Sequence, residues 1–420
     1  MRIVFVLHQF YPEFSGGTER VVLNLARCAQ RAGHYVHVLA CTMRTPVPRK
    51  GKAKGKLSDA FHDIYQGIPV TLIPRSLLPA SGDLGFDVAP AMVEQVRDWM
   101  RAERFEFVHA FHSMRMSSAL LAAQQCGLPY MVTLTDFFVG CYRINAINVQ
   151  GEPCVGPDGG RTCGRDCLVP PWSEPTLLQR HQLARALLQG AAERIVPSDY
   201  VAGFFRAAFP DLHWRVIPHG IDFLGLTAQK KSSDGPQENA DGLVTLGYLG
   251  SIVRQKGLHI LLQAMARVPS DRLRLRVAGG FYGDPVYQDD IRKMIACDPR
   301  VEWIGQVEPT DLAMVLENVD LLCLPSVVPE SFSLALHEAA VLRVPALVSD
   351  LGAPRARVEE FGGGRVVAAG DVTAWAQALA EIANGPEILQ SWSSCIRLPY
   401  RVEEEAFFYE SLYRQLVAPA

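Results

Sequence analysis

The stretch DLLCLPSVVPESFSLALHEAA, residues 320–340, holds an apolar strand-like run, a loop broken by Pro325 and Pro329, and the start of a segment of helical composition. Residues 320–326 read as the strand and 333–342 as the helix. In a strand–loop–helix unit of this kind Glu330 sits on the loop at the strand's C-terminal end, and Glu338 about a turn and a half into the helix. The N–H groups of Ser331, Phe332 and Ser333 would open that helix, a position suited to a phosphate. A phosphate between two acids is contradictory unless the acids bind something uncharged, such as sugar or ribose hydroxyls, which need acceptors. The plainer reading leaves Glu330 complementing the helix dipole and Glu338 solvated.

The same strand-then-helix alternation extends in both directions. Strand-like runs occur at 2–8, 35–41, 69–75, 107–111, 130–135, 194–198 and 214–219, and again at 244–250, 273–279, 301–306, 320–326, 345–350 and 365–370. Such alternation predicts parallel, doubly wound sheets. The polar, turn-rich TAQKKSSDGPQENADG, residues 227–242, divides the two sets. The expected fold class is therefore α/β, with two Rossmann-like doubly wound domains facing a crevice. The first spans 1–225 and carries a loop-rich insertion at about 137–175. A linker covers 226–242, and the second domain spans 243–395. Residues 396–420 include VEEEAFFYESLYRQLV, 402–417, where Phe408, Leu412 and Leu416 share one stripe of a helix expected to pack back on the first domain.

At 420 residues the chain is too long for one ordinary domain, and its 49% hydrophobic and 20% charged content describe a well-cored protein. A net charge of -3 supplies no general pull toward nucleic acid, which is excluded as an expected partner. No uninterrupted apolar run reaches the roughly 18 residues of a membrane span, and MRIVFVLHQF reads as a strand rather than a signal peptide. A cytoplasmic location is expected. The basic loop RKGKAKGK, residues 49–56, is read either as a solvated loop or as a contact with anionic lipid at the inner face of a membrane or with the acceptor. Cysteines in that compartment stay mostly reduced. Cys28, Cys41, Cys126 and Cys323 read as small core residues. Cys141, Cys154, Cys163 and Cys167 lie together in GCYRINAINVQGEPCVGPDGGRTCGRDC, residues 140–167. Three readings stand there: four thiolates folding the loop around a structural zinc ion, free thiols, or a disulfide, which suits that compartment least.

Gly16 and Gly17, in FSGGTERVVLNLA, let backbone approach a ligand closely without forming the GxGxxG dinucleotide fingerprint. Lys256, in YLGSIVRQKGLHILLQAM, follows a strand and precedes a helix, where a cation could neutralise a diphosphate.

Together GGTER, VIPHGID at 216–222, GSIVRQKGL at 250–258 and PESFSLALHEA at 329–339, with two Glu spaced E-x7-E, resemble the GT-B glycosyltransferases of family 4, over nearly the whole chain. The resemblance implies retaining transfer of a sugar from a nucleotide-diphosphate sugar, of UDP or GDP type, to a saccharide or lipid-linked acceptor. It gives Glu330 the donor-sugar hydroxyls and Glu338 the ribose. The backbone of Ser331, Phe332, Ser333 and Leu334 would hold the diphosphate, with Lys256 and the Gly16–Gly17 loop. Prepositioned N–H groups and a lysine stabilise the departing diphosphate without a metal, and no DxD-type pair stands out, so no cofactor is expected for catalysis. Three departures stand against the pattern. Ser251 occupies a place where Arg is common, with Arg254 as a candidate substitute. Arg343 replaces a usual Gly. In VHAFHSMRMSS, Phe111 takes the place of a histidine, leaving His112 or His109 for its role. His112, just beyond the strand, is the better placed and joins Glu330 and Lys256 as an expected catalytic residue. His109, Phe111 and Asp136 are acceptor-side candidates. A nucleotide-sugar epimerase and an inactive, transferase-like binding protein are the alternatives.

Overall fold

The computed structural model describes residues 1–45, 57–80, 84–229, 243–308 and 311–417. The basic loop 49–56, and the expected linker from residue 230 on, lie outside them. The chain forms two compact units: Met1–Gly220 together with Val402–Ala420, and Ile221–Arg401. The expected first domain ran to residue 225. The structure assigns Ile221 onward to the second unit, where the Ile221 N–H donates to the Tyr400 carbonyl at 2.9 Å.

The first unit is built on β1 (Arg2–Val6), β2 (Tyr35–Thr42), β3 (Phe61–Tyr65), β4 (Ile68–Pro74), β5 (Phe107–Ala110), β6 (Tyr130–Thr133), β7 (Glu193–Val196) and β8 (Arg215–Val216). Their order in the sheet is β3-β4-β2-β1-β5-β6-β7-β8. All pairs are parallel except β3 with β4. That hairpin turns through Gln66 and Gly67, at φ +49° and +81°, the left-handed pair that suits the twist of a two-residue connection. Each of the other strands lies on one of the apolar runs and ends before it does, except β2, which runs one residue further, to Thr42. The order of strands reverses direction between β1 and β5, so a switch point lies at their C-terminal ends, where doubly wound sheets open to ligands.

The second unit holds β9 (Val244–Leu249), β10 (Leu273–Ala278), β11 (Val301–Gly305), β12 (Leu321–Leu324), β13 (Ala346–Ser349) and β14 (Gly364–Val367). They are ordered β11-β10-β9-β12-β13-β14. All of these pairs are parallel. Its switch point lies between β9 and β12.

The helix Val402–Val417 returns to the first unit and packs against the helix Gly17–Arg31. Its buried face is Val402, Glu405, Tyr409, Leu412 and Tyr413, so the expected stripe is rotated: Leu412 is buried, but Phe408 is exposed and Leu416 only partly covered. The tyrosines win the inner face because their hydroxyls find partners there, Tyr413 with His109 at 2.7 Å and Tyr409 with Thr133 at 3.0 Å. Glu405 anchors the VIPHGID segment. Its carboxylate accepts from the Gly220 N–H at 2.7 Å and meets His219 Nδ1 at 2.9 Å. Among the described residues no helix is long and apolar enough to cross a membrane.

Candidate functional site

In the second unit the loops after β9 and β12 lie directly on each other. Gly257 has φ +71°, and a Cβ there would stand 1.8 Å from the Pro325 carbonyl oxygen, so only glycine fits this approach. The Val327 N–H donates to the Gln255 carbonyl at 2.9 Å. This seam brings Lys256 Nζ to 2.9 Å from Glu330 Oε2, while the Ser326 hydroxyl donates to the other carboxylate oxygen. From the far side Gly352 (φ +72°) closes on the same residue: a Cβ there would lie 2.4 Å from the Glu330 nitrogen and 2.5 Å from its oxygen. The Ala353 N–H donates to the Glu330 carbonyl at 2.9 Å. Burial alone would raise the Glu330 pKa. The Lys256 charge and hydrogen bonds from Ser326, Lys256 and Ser333 outweigh it and hold the carboxyl below its ordinary value.

The helix after this loop runs Leu334–Val341, one residue later than expected, because Ser333 is its N-cap in a left-handed conformation (φ +70°, ψ +87°). A non-glycine residue held there is strained. His337 secures the turn: its ring stacks on Phe332 at 3.9 Å and its Nδ1 donates to the Ser333 carbonyl at 2.8 Å. The segment Ser331–Leu334 thus leads into a helix end, whose first N–H groups point outward. Glu338 is buried on that helix rather than solvated. Ser251 is exposed, its carbonyl accepting from the Tyr248 hydroxyl at 2.9 Å. The Arg254 guanidinium lies 4.9 Å above the Tyr287 ring. Arg343, at φ +61°, has a structural part: it donates to the Ile396 carbonyl at 2.6 Å and its own carbonyl accepts from Ser393 at 2.7 Å.

In the first unit Gly16 is the N-cap of the helix Gly17–Arg31, and a Cβ on it would stand 2.6 Å from Glu19 Oε2. His112 follows β5, with a side chain only 3% exposed. Its Nδ1 accepts from the Met114 N–H at 3.2 Å, which leaves the proton on Nε2, and Nε2 donates to Asp136 Oδ2 at 2.8 Å. Both nitrogens are thus engaged. Asp136 is the more open partner at 32%, with Oδ1 accepting from the Phe138 N–H at 2.9 Å.

His109 and Phe111, expected on the acceptor side, lie in the core instead. Both are fully buried. His109 bonds Tyr413 through Nδ1 and Thr133 through Nε2, at 2.7 and 2.8 Å, and the Phe111 ring lies tilted against it at 3.8 Å. Alternation does put them on one face, but the tyrosines of the C-terminal helix cover that face, so neither stands on an acceptor surface.

Sequence reasoning missed His8 and Glu19. The His8 ring lies 4.0 Å from that of His112, and its Nε2 lies 3.9 Å from Glu19 Oε1. Burial, then the charges of His112 and Arg115, hold His8 well below the ordinary histidine range. Burial raises the Glu19 carboxyl against hydrogen bonds from its own backbone, Gln9 and Gly16 and the charge of His112. The available signal was position: His8 follows β1 as His112 follows β5.

Cys141, Cys163 and Cys167 are buried and Cys154 partly so, all as free thiols. Among the described residues no three His, Cys, Asp or Glu side chains are arranged to hold a metal ion. Burial and its three neighbouring thiols push Cys163 up to about 12.

Two family models match the chain: a glycosyl transferase 4-like domain over residues 16–220 and glycosyl transferases group 1 over residues 244–384. The chain is 24% identical over 380 residues to the phosphatidyl-myo-inositol mannosyltransferase of Mycolicibacterium smegmatis, covering 89% of this chain and 82% of that one. It is 30% identical over 147 residues to the D-inositol 3-phosphate glycosyltransferase of Corynebacterium urealyticum, a match spanning 33% of this chain and 34% of that relative. The chain thus matches about a third of that relative's length. Among solved structures, sucrose-phosphate synthase from Thermosynechococcus elongatus superposes with a TM-score of 0.73 at 19% identity, covering 100% of both chains. Anabaena HepE in complex with UDP and glucose superposes with a TM-score of 0.63 at 19% identity, covering 99% of this chain and 95% of that one. Two parallel-sheet units, two matching family models and these neighbours agree, and the chain belongs to the GT-B-fold glycosyltransferases of family 4.

Proposed function

We propose that the protein transfers a sugar from a nucleotide-diphosphate sugar to a hydroxyl of a polyol-bearing or lipid-linked acceptor, with retention at the anomeric carbon. The observation that carries this reading is the Lys256–Glu330 pair, held at 2.9 Å at the switch point of the second unit and beside a helix start. A cation next to outward-pointing N–H groups suits a diphosphate, whose charge grows as the bond to the sugar breaks. Glu330, kept ionised, accepts from donor-sugar hydroxyls and orients Lys256. Glu338 serves the ribose. The acceptor oxygen attacks from the face the diphosphate leaves, and the departing phosphate oxygen takes the acceptor's proton, so no protein nucleophile is required. On the first unit Asp136, oriented by His112, is the group that meets the acceptor. The acceptor class is supported by the names of relatives that act on phosphatidyl-myo-inositol and inositol 3-phosphate. A UDP donor is supported by a neighbour solved with UDP.

Calorimetric titration with UDP and with GDP tests the reading. Saturable binding of one of them, weakened at least tenfold by Lys256→Ala, is expected. Binding of neither, or binding indifferent to Lys256, would remove the second unit as a donor site.

A further inference from the structure

We propose that Cys141, Cys154, Cys163 and Cys167 form a structural site for one zinc ion, which pins the connection between β6 and the helix Glu174–Gly190. That connection, residues 134–173, is far longer than the roughly 12–15 residues beyond which a loop without its own structure is uncommon. Its regular structure amounts to the short helix Arg161–Asp166 and one turn before it. The apolar cluster under its second half is small: Tyr142, Cys163, Cys167 and Leu177, with Trp172 at the edge. So little apolar burial needs a staple.

The chain brings the four sulfurs together from two directions. Cys163 and Cys167 stand one helical turn apart, the Cys167 N–H donating to the Cys163 carbonyl at 3.1 Å, and so share a face. Cys154 is returned toward Cys141 by the pairing of Ile147 with Pro153, the Cys154 N–H donating to the Ala146 carbonyl at 2.8 Å. Each of the six pairs among the four sulfurs lies within electrostatic reach. Three of the thiols are buried and Cys154 partly so, which suits a closed structural site rather than one open to substrate. Cys141 also closes a turn by donating to the Phe137 carbonyl at 2.7 Å. Within that turn the Phe138 N–H holds Asp136 Oδ1 at 2.9 Å, so the ion would steady Asp136 as well.

Two further observations point to thiolates. Backbone hydrogen bonds from Ala146 and Arg143 reach the Cys141 sulfur, and the Gly156 N–H, in a turn at φ +128°, donates to the Cys154 sulfur at 3.4 Å. Arg143 and Gly156 each lie two residues beyond the cysteine they serve. Such bonds favour the charged form of the sulfur. Arg180, only 5% exposed, donates to the carbonyls of Leu84, Val139 and Phe138, all neutral acceptors. The acidic groups felt by its charge are Cys141, Cys163 and Asp136, and Asp136 is engaged by His112. A buried cation is unfavourable without a counter-charge, and a zinc–tetrathiolate centre is a net anion. As thiols, no three of the sulfurs are arranged to hold an ion, because protonated sulfur is not a ligand. Binding breaks four S–H bonds, forms four S–Zn bonds and releases four protons to solvent, drawing the sulfurs inward. Four thiolates suit zinc or an iron–sulfur centre, and sugar transfer moves no electrons, which favours zinc.

The test uses full-length protein purified without chelators from zinc-supplemented culture. Elemental analysis should find about one zinc ion per chain. Protein stripped with a mercurial and a chelator, then reduced, should take up Co²⁺ with the sulfur-to-cobalt and visible absorption of a tetrahedral thiolate centre. Cys141→Ser and Cys163→Ser should each lower zinc content about tenfold or more, whereas Cys297→Ser, at an exposed thiol of the second unit, should leave it unchanged. If the serine variants do not fold, the cobalt spectrum of the wild type carries the test. Cobalt bands in protein isolated without zinc would still support the site. Absence of both zinc and the cobalt thiolate bands, bound iron in place of zinc, a disulfide among the four cysteines as isolated, or zinc retained in both serine variants would each overturn the proposal.

Discussion

Lys256 and Glu330 belong to loops that follow different strands, β9 and β12, and their charged atoms meet at 2.9 Å across the switch point of the second sheet. The lysine is therefore aimed before any diphosphate arrives. Lys256→Ala should lower kcat/KM by about 10- to 150-fold, the equivalent of roughly 1.5–3 kcal/mol for a charged hydrogen bond. Because both residues act through one contact, Glu330→Gln combined with Lys256→Ala should cost clearly less than the sum of the single changes. Steady-state kinetics on the four proteins of the cycle measures this. Additive losses would show that the two side chains act independently.

Gly352 has no side chain to offer chemistry, yet it should matter to donor binding. At φ +72°, a Cβ there would press on the Glu330 backbone at 2.4 and 2.5 Å. Gly352→Ala should destabilise the fold by about 1–3 kcal/mol, the range for a strained backbone position, and weaken UDP or GDP affinity by displacing the carboxylate. Chemical denaturation and calorimetry check the two effects. Unchanged nucleotide affinity in a folded variant would detach Gly352 from the site.

Two of the buried glutamates, Glu330 and Glu19, should respond to pH in opposite directions. Glu330 has a depressed folded-state pKa, so the stability it contributes is full above the ordinary carboxylate pKa of about 4.3 and is lost as pH falls through the lower folded value. Glu19 has a raised folded-state pKa. It contributes nothing below the ordinary value, and its presence destabilises the fold as pH climbs from there through the raised folded value. Denaturation of wild type against Glu330→Gln should thus show an advantage for wild type that fades in acid. Against Glu19→Gln, wild type should lose ground as pH rises through that window. Parallel curves for the two variants would contradict the assigned environments.

Thiol chemistry should separate the cysteines by burial. With Cys163 pushed up to about 12, and Cys141 and Cys154 also raised by burial, their thiolate fractions near neutral pH are small and alkylation is slow. Cys297 and Cys395 are exposed and should react first. Mass-resolved iodoacetamide labelling, native and then in denaturant, gives the order. Early labelling of Cys163 in the folded protein would contradict its burial.

Much of the fold could be read from the chain because parallel strands buried on both faces leave continuous apolar runs, as in Leu321–Leu324 and Arg2–Val6. β3 escaped because FHDIY is half exposed and sits at the sheet edge, where pairing rather than burial makes it a strand. Glu330 was legible because a local strand–loop–helix pattern locates it. His109 and Phe111 were not, since strand alternation gives the face but not what covers it. The cover, Tyr413, lies 304 residues further along the chain. His8 was absorbed into the apolar run before it, and Glu19 into a helix-start motif, so their meeting with His112 had no local signature.

The C-terminal helix sets an order of events during synthesis. The first unit spans Met1–Gly220 but regains its last helix only with Val402–Ala420, so the ribosome must make the whole second unit before the first can finish. Until then His109 and Thr133 lack the hydroxyls of Tyr413 and Tyr409, and His219 and Gly220 lack Glu405. Contacts of such long sequence separation form late and slowly. The nascent first unit therefore lacks the cover of that helix until residues 402–417 are made, while the second, whose ends join through the Ile221–Arg401 bridge, is contiguous in sequence. Every contact within the inserted unit can thus form without waiting for residues outside it, whereas the first unit must wait for residues made after the second.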